Sequence, residues 1–357
     1  MINAHTHIFT IEHVPDKFLA PWINAAAKVL LSRRVISGLN KLGMDGPAYL
    51  LKKFDNFKKI GELGDQAAVF KHLQGFYPEG TQFVVLSMDM EYMDAGTCPK
   101  SFIQQLDTLA ELKQQHGDLI HPFVFAHPER PQVLGVVKKY VEEHQFAGIK
   151  LYPAIGYFPS DPRLDGVYAY AEASQIPIMA NCAGGGVYYQ GKLTEERRRD
   201  PLTGEVLKKT KNSEFTDYYT DPRQYAPVLE KYPNLKLCFA HYGGSNAWNE
   251  FLAQSWHDKL KENWFFLINQ YLKDERYPNI YTDVSYTLAE PDLYPILKAY
   301  LEDVPAIRER VLFGTDYYMT EQEGSERRFG LNLRGFLGPE LWSQIAETNP
   351  ARYLSRG

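Results

Sequence analysis

Cysteine is scarce: three residues, Cys98, Cys182 and Cys238, in a chain of 357. Three thiols cannot build a disulfide framework, and Cys182 and Cys238 stand inside apolar runs where buried thiols are common, which predicts a reducing compartment. Long apolar runs are missing too. No stretch approaches the ~20 apolar residues that span a bilayer, and the N-terminal Met1-Ile2-Asn3-Ala4-His5-Thr6-His7 carries neither the basic region nor the apolar segment of a secretory signal. A cytoplasmic protein without membrane contact is the expectation. Charge of one sign is also lacking, since 39 Lys and Arg oppose 44 Asp and Glu for a net charge of -5. With no basic tract to follow a phosphate backbone, nucleic acid is excluded as a partner. A small-molecule substrate is expected instead, with homo-oligomerisation left open.

What is present is a globular composition, 44% hydrophobic and 23% charged, able to bury a core and remain hydrated on its surface. Eight short apolar runs punctuate the chain: Met1 to His7, Gln82 to Asp89, His121 to His127, Gly148 to Tyr152, Pro177 to Cys182, Lys236 to His241, Asn279 to Ser285 and Val311 to Asp316. Each is rich in Val, Ile, Leu or Phe and is followed by a longer helical or loop stretch. That is the signature of parallel strands buried on both faces and linked by helices. Eight such βα units predict a (β/α)₈ barrel occupying residues 1–357 as one domain. The first connection exceeds seventy residues and holds helical patterns over residues 17–42 and around 46–75, so the expected barrel is distorted by a helical insertion at about 10–80. A second long connection, from Gly184 to Tyr232, carries the charged patch Glu195 to Asp200, expected as a solvated loop in preference to a mobile lid.

In such a barrel the active site forms at the C-terminal strand ends. His7, His127, Lys150, Asn181, His241, Asp283 and Asp316 fall there. In His5-Thr6-His7 the two imidazoles, at i and i+2 of a strand, share a face and can converge on one ion. Asp316 closes the last strand, and barrel closure makes strands one and eight neighbours, so residues far apart in sequence meet in space. Two imidazoles and a carboxylate match catalytic zinc sites, which keep a position open for water. His241 is followed by Tyr242-Gly243-Gly244, whose glycines permit close backbone approach, and its imidazole can act as ligand, proton shuttle or hydrogen-bond donor. Lys150 ends a buried strand, a costly placement unless its ammonium meets an anion or its amine is carboxylated to bridge metals.

These markers, in this order, resemble the amidohydrolase superfamily, in the branch that holds hydrolases and metal-dependent non-oxidative decarboxylases. They are His5-Thr6-His7, Gly148-Ile149-Lys150-Leu151-Tyr152-Pro153, Ala240-His241-Tyr242-Gly243-Gly244, Tyr281-Thr282-Asp283-Val284-Ser285, Phe313-Gly314-Thr315-Asp316 and Asn349-Pro350-Ala351-Arg352. The resemblance implies one or two divalent ions, zinc first and manganese second, with His5, His7, Asp316, His241 and Lys150 as the candidate ligands. It also implies Asp316 and His241 as catalytic groups. Lys150, Tyr152 and Asn181 are the expected substrate contacts. One departure stands out: where the family's fifth strand ends in a histidine ligand, this chain has Asn181, a weak neutral oxygen donor. Cys182 should face the other way, and His127 is a conceivable substitute imidazole. The expectation is therefore one ion per chain, with His241 left free. The leading activity is hydrolysis of a small amide, lactone or ester by a metal-activated water. Decarboxylation of a small aromatic acid is the alternative, and a non-catalytic ligand-binding barrel with a degenerate metal site is the rival from another class.

Overall fold

The computed structural model describes residues 1–18, 59–208, 211–253 and 261–356. The helical pattern over residues 17–42 lies outside the described residues, apart from its first two positions. Of the second pattern in that connection, residues 66–74 form a helix.

Eight parallel strands run in sequential order: β1 (Ile2–Thr6), β2 (Gln82–Leu86), β3 (Ile120–Phe125), β4 (Gly148–Leu151), β5 (Ile178–Ala183), β6 (Leu237–Gly243), β7 (Ile280–Asp283) and β8 (Val311–Leu312). Backbone bonds bring the last strand to the first. Ala4 N–H donates to Phe313 O at 2.8 Å, and Asp316 N–H donates to His5 O at 2.9 Å. The helices used below are α1 (Gln66–Gln74), α2 (Phe102–His116), α3 (Glu195–Arg198), α4 (Glu326–Leu337) and α5 (Asn349–Leu354). Local sequence starts them: Asp65 caps α1, and Ser101 with Gln104 forms a capping box on α2.

Alternation along the strands divides the apolar residues into two cores. Ile2, Ala4, Val84, Leu86, Phe123, Met179, Cys238, Ala240, Tyr281 and Leu312 fill the barrel interior, and Tyr353 of α5 plugs its base. The remaining strand residues, among them Phe83, Val85, Ile149, Leu151, Ile178, Ala180, Leu237 and Phe239, pack in a larger outer core that also takes in helix residues such as Val69, Phe70, Leu106 and Leu109. Two-faced burial explains why the strands read as continuous apolar runs. Cys182 lies in the outer core, facing away from Asn181 as alternation requires.

Strand ends shift by one to four residues from the apolar runs, most of all at the last strand. β8 stops at Leu312 rather than Asp316, and Asp316 lies beyond it in the left-handed region at φ 54°. β6 continues to Gly243, so that His241, Tyr242 and Gly243 at its end and Gly244 just past it form four successive left-handed residues. A side chain in that region costs ~1 kcal/mol or more, and surrounding contacts hold the two non-glycine residues there. Asp283 Oδ1 accepts from His241 N–H at 3.2 Å, Thr287 Oγ1 donates to His241 O at 2.6 Å, and Trp248 Nε1 donates to Tyr242 O at 2.9 Å. The Glu195–Asp200 patch is only partly solvated: Arg197 of α3 reaches in to pair with Glu129 at 2.6 Å and covers the Tyr189 ring.

Candidate metal centre

His5, His241 and Asp316 come together at the C-terminal mouth of the barrel, with one donor atom from each lying within 4.8 Å of the other two. All three are buried. Gly314 makes the approach possible, since a Cβ on it would stand 2.7 Å from His5 Cβ. His7 borders the group, its Nε2 being 3.9 Å from Asp316 Oδ1. The geometry thus brings the candidate ligands His5 and His241 to the strand-eight aspartate with His7 alongside, although the one-ion expectation left His241 free.

Each imidazole is oriented through its other nitrogen. His5 Nδ1 donates to Asp283 Oδ2 at 3.0 Å, and His7 Nδ1 donates to the Leu86 carbonyl at 2.9 Å. His241 Nδ1 is 3.2 Å from the Ser285 carbonyl and 2.9 Å from Ser285 Oγ. That hydroxyl also lies 3.1 Å from His5 Nδ1 and gives its own proton to Asp283. Carbonyls and an ionised carboxylate only accept, so the ring protons sit on Nδ1 and the Nε2 lone pairs remain for a ligand. The sequence reading listed Asp283 at a strand end without giving it a task. Its signal was a carboxylate closing an apolar strand, the same cue that flagged Asp316.

Electrostatics agree with neutral rings at His7 and His241. Burial, reinforced by neighbouring cations, lowers the His7 pKa well below the usual imidazole value and that of His241 to about 3. Burial also opposes ionisation of Asp283, but the adjacent His5 and the Ser285 hydroxyl outweigh it and hold this carboxyl below the ordinary range. Asp316 moves the other way, raised by burial and only partly relieved by His5 and Lys150. A donor set of imidazoles and a carboxylate suits a divalent ion, and the buried His5 Nε2, which has no hydrogen-bond partner, is an atom such an ion would satisfy.

Lys150 lies fully buried with its Nζ unpartnered, 5.7 Å from the Tyr152 ring centre. Burial lowers its pKa to about 8, against the pull of Asp283 and Asp316. The Tyr152 hydroxyl accepts from Val187 N–H at 3.3 Å and so ties the end of β4 to the glycine-rich loop after β5. Asn181 Oδ1 lies 3.1 Å from His241 Nε2. His127 stands elsewhere, stacked on Tyr92 with ring centres 4.6 Å apart and edge-on to Tyr157.

A family model described as Amidohydrolase matches residues 97–356. That span holds Lys150, Asn181, His241, Asp283 and Asp316 and leaves His5 and His7 before it. No curated protein matches the sequence at a significant level. Among solved structures, the chain is similar to 5-carboxyvanillate decarboxylase LigW from Sphingomonas paucimobilis (TM-score 0.56, 13% identity, covering 99% of this chain and 98% of that one). It is similar also to 4-oxalomesaconate hydratase LigJ from Rhodopseudomonas palustris (TM-score 0.52, 18% identity, covering 100% and 96%). A third is the manganese-bound 5-carboxyvanillate decarboxylase LigW2 from Novosphingobium aromaticivorans (TM-score 0.55, 11% identity, covering 99% and 96%). At these identities the likenesses carry the barrel fold, whereas the family match spans most of the chain: this protein is an enzyme of the amidohydrolase family.

Proposed function

We propose that the enzyme is a divalent-metal-dependent hydrolase of a small amide, ester or lactone that carries an anionic group. The observation that carries this reading is the convergence of His5, His241 and Asp316, with His7 alongside, on one buried point at the barrel mouth. A divalent ion held there supplies Lewis acidity, polarising a carbonyl and acidifying water. Asp316 is the base: a buried carboxylate with a raised pKa accepts a proton from water more readily than an exposed one. Lys150, an unpaired buried ammonium close to Asp316, anchors the substrate's anionic group and fixes its carbonyl toward the centre. Tyr152 supports that ammonium with its ring face. His241 serves as a ligand in this arrangement, because its Nε2 is a lone pair and cannot donate to an oxyanion.

Decarboxylation is the second reading, favoured by Lys150 and by the decarboxylases among the structural neighbours. An ammonium whose pKa has fallen to about 8 can hand a proton to the carbon that carbon dioxide leaves. One panel separates the two. Protein stripped by chelator and reloaded with Zn²⁺ or Mn²⁺ is assayed on lactones, esters, amides and hydroxybenzoic acids, following acid production and carbon dioxide release separately. Metal-dependent acid production without carbon dioxide is expected. Carbon dioxide release selects decarboxylation, and a protein that binds no divalent ion refutes both.

A further inference from the structure

Lys150 Nζ has neither exposed surface nor a hydrogen-bond partner, so an anionic group reaches it only after something above it moves. Tyr152 lies against it, and the chain that leaves β5 rests on the Tyr152 hydroxyl. A Cβ on Gly186 would stand 2.8 Å from that oxygen, and Val187 N–H donates to it at 3.3 Å. From there the segment crosses the loops that follow β4, β2 and β1. Tyr189 N–H donates to Ala154 O at 3.0 Å, Gln190 N–H to Met93 O at 2.8 Å, and Gln190 Nε2 to Phe18 O at 3.0 Å. All three loops begin at C-terminal strand ends, so the segment spans the mouth from β5 toward β1.

Little apolar packing holds the crossing. Of residues 184–199 only Tyr189 is buried, and its ring is covered by the Arg197 guanidinium at 4.4 Å, which pairs with Glu129 at 2.6 Å. Asn212 Nδ2 donates to the Tyr189 and Gly191 carbonyls at 2.9 and 2.7 Å. A segment bound by a few hydrogen bonds and one ring opens at lower free energy than the strands beneath it. Its near end is Gly184-Gly185-Gly186, three exposed residues, of which Gly185 and Gly186 stand at φ 79° and 80°. Glycine passes between backbone regions without a steric penalty, which suits a hinge. The far end is fixed, since Leu193 packs on a small cluster of Phe158, Phe215 and Tyr219.

We propose that residues 187–191 form a gate over Lys150, hinged at the three glycines and latched by Arg197 on Tyr189, which opens to admit the anionic end of a substrate and closes behind it. What the gate admits rests on the reading of Lys150 as the anchor; its motion does not. Closed, it keeps bulk water from Lys150 and so strengthens an ion pair made there.

The test labels full-length protein with trinitrobenzenesulfonate, whose ring carbon bonds to an amine nitrogen as sulfite leaves and the amine proton passes to buffer. Peptide mass spectrometry reads the rate at Lys150 beside two references. Lys192 is exposed, whereas Lys236 is buried at the base of the barrel, where it donates to Ser355 O. In the wild type Lys150 should react about tenfold or more slowly than Lys192. Arg197→Ala and Asn212→Ala should each speed Lys150 about tenfold, the worth of one or two hydrogen bonds, with Lys236 unmoved. A wild-type Lys150 as fast as Lys192, or one unmoved in the folded variants, overturns the gate. So does Lys236 speeding in step with Lys150, which marks general unfolding. If neither variant folds, amide exchange of the wild type decides: Tyr189 and Gln190 should exchange about 100-fold faster than Met179 and Ala180 of β5, and equal protection overturns the gate. An unchanged KM in Lys150→Met fails the anchor reading alone and leaves the gate standing.

Discussion

Two buried histidines, His5 within β1 and His127 just past β3, belong to the same barrel, and each has an Nε2 without a hydrogen-bond partner. They are chemically opposite. His5 Nδ1 gives its proton to Asp283, so its free Nε2 is a lone pair. His127 Nδ1 accepts from Glu129 N–H at 3.1 Å, so its free Nε2 is an N–H, and the ring is kept neutral by burial among Arg197, Arg130 and Arg163. One offers a lone pair and the other a proton. The residue at the second nitrogen, not burial or position, decides which.

Five substitutions, one of them read through a pH profile, would break or sharpen that contrast, the first having the largest expected effect. Asp316→Asn removes a ligand charge and the proposed base together, so turnover should fall about 10³-fold with a loss of bound metal; wild-type turnover would refute the assignment. Asp283→Ala leaves His5 Nδ1 without its acceptor, and chelator competition should show metal binding weakened by about 10- to 100-fold. Lys150→Met keeps most of the stem, so metal content should hold while KM for an anionic substrate rises about tenfold or more, the worth of a hydrogen bond to a charged group.

The pH profile extends the comparison to buried acids. Asp283, among imidazoles, is held low, whereas burial raises Glu326 of α4 to about 8, despite bonds from Thr315 and Tyr77. Between the ordinary 4.5 and about 8 the native state keeps a proton that the unfolded chain has lost, so this group lowers stability as pH rises through that window. Melting of Glu326→Gln should lack that decline, and an identical decline in the variant would show that another group causes it. His127→Phe, the smallest change, keeps the stacking and removes the ring nitrogens. Bound metal should be unaltered and stability lowered by only about 1 kcal/mol from the lost acceptor; any fall in metal content would erase the distinction between the two histidines.

Much of this was legible before folding. The eight apolar runs all became strands, because burial on both faces leaves no polar alternation to confuse them. The period of two placed Asn181 and Cys182 on opposite faces, and closure brought Asp316 to His5. Strand ends were less legible, because the left-handed turns at His241 and Asp316 are set by hydrogen bonds from distant residues such as Asp283 and Thr287. Proton positions were not legible at all. Only the three-dimensional neighbours of each Nδ1 distinguish His5 from His127. The Glu326 network with Asn3, Tyr77 and Thr315 was hidden for the same reason, since its members come from four separate segments.

The bonds that tie Asp316 to the carbonyl of His5 also set a clock. During synthesis the two strand-one histidines emerge some three hundred residues before Asp316, so a growing chain carries imidazoles long before it has the carboxylate that completes the group. In the proposed centre, full-strength metal capture waits until β8 docks against β1. An interrupted chain that stops after β7 would compete poorly for the cell's scarce ions, and metal retention would report that translation and barrel closure had both finished.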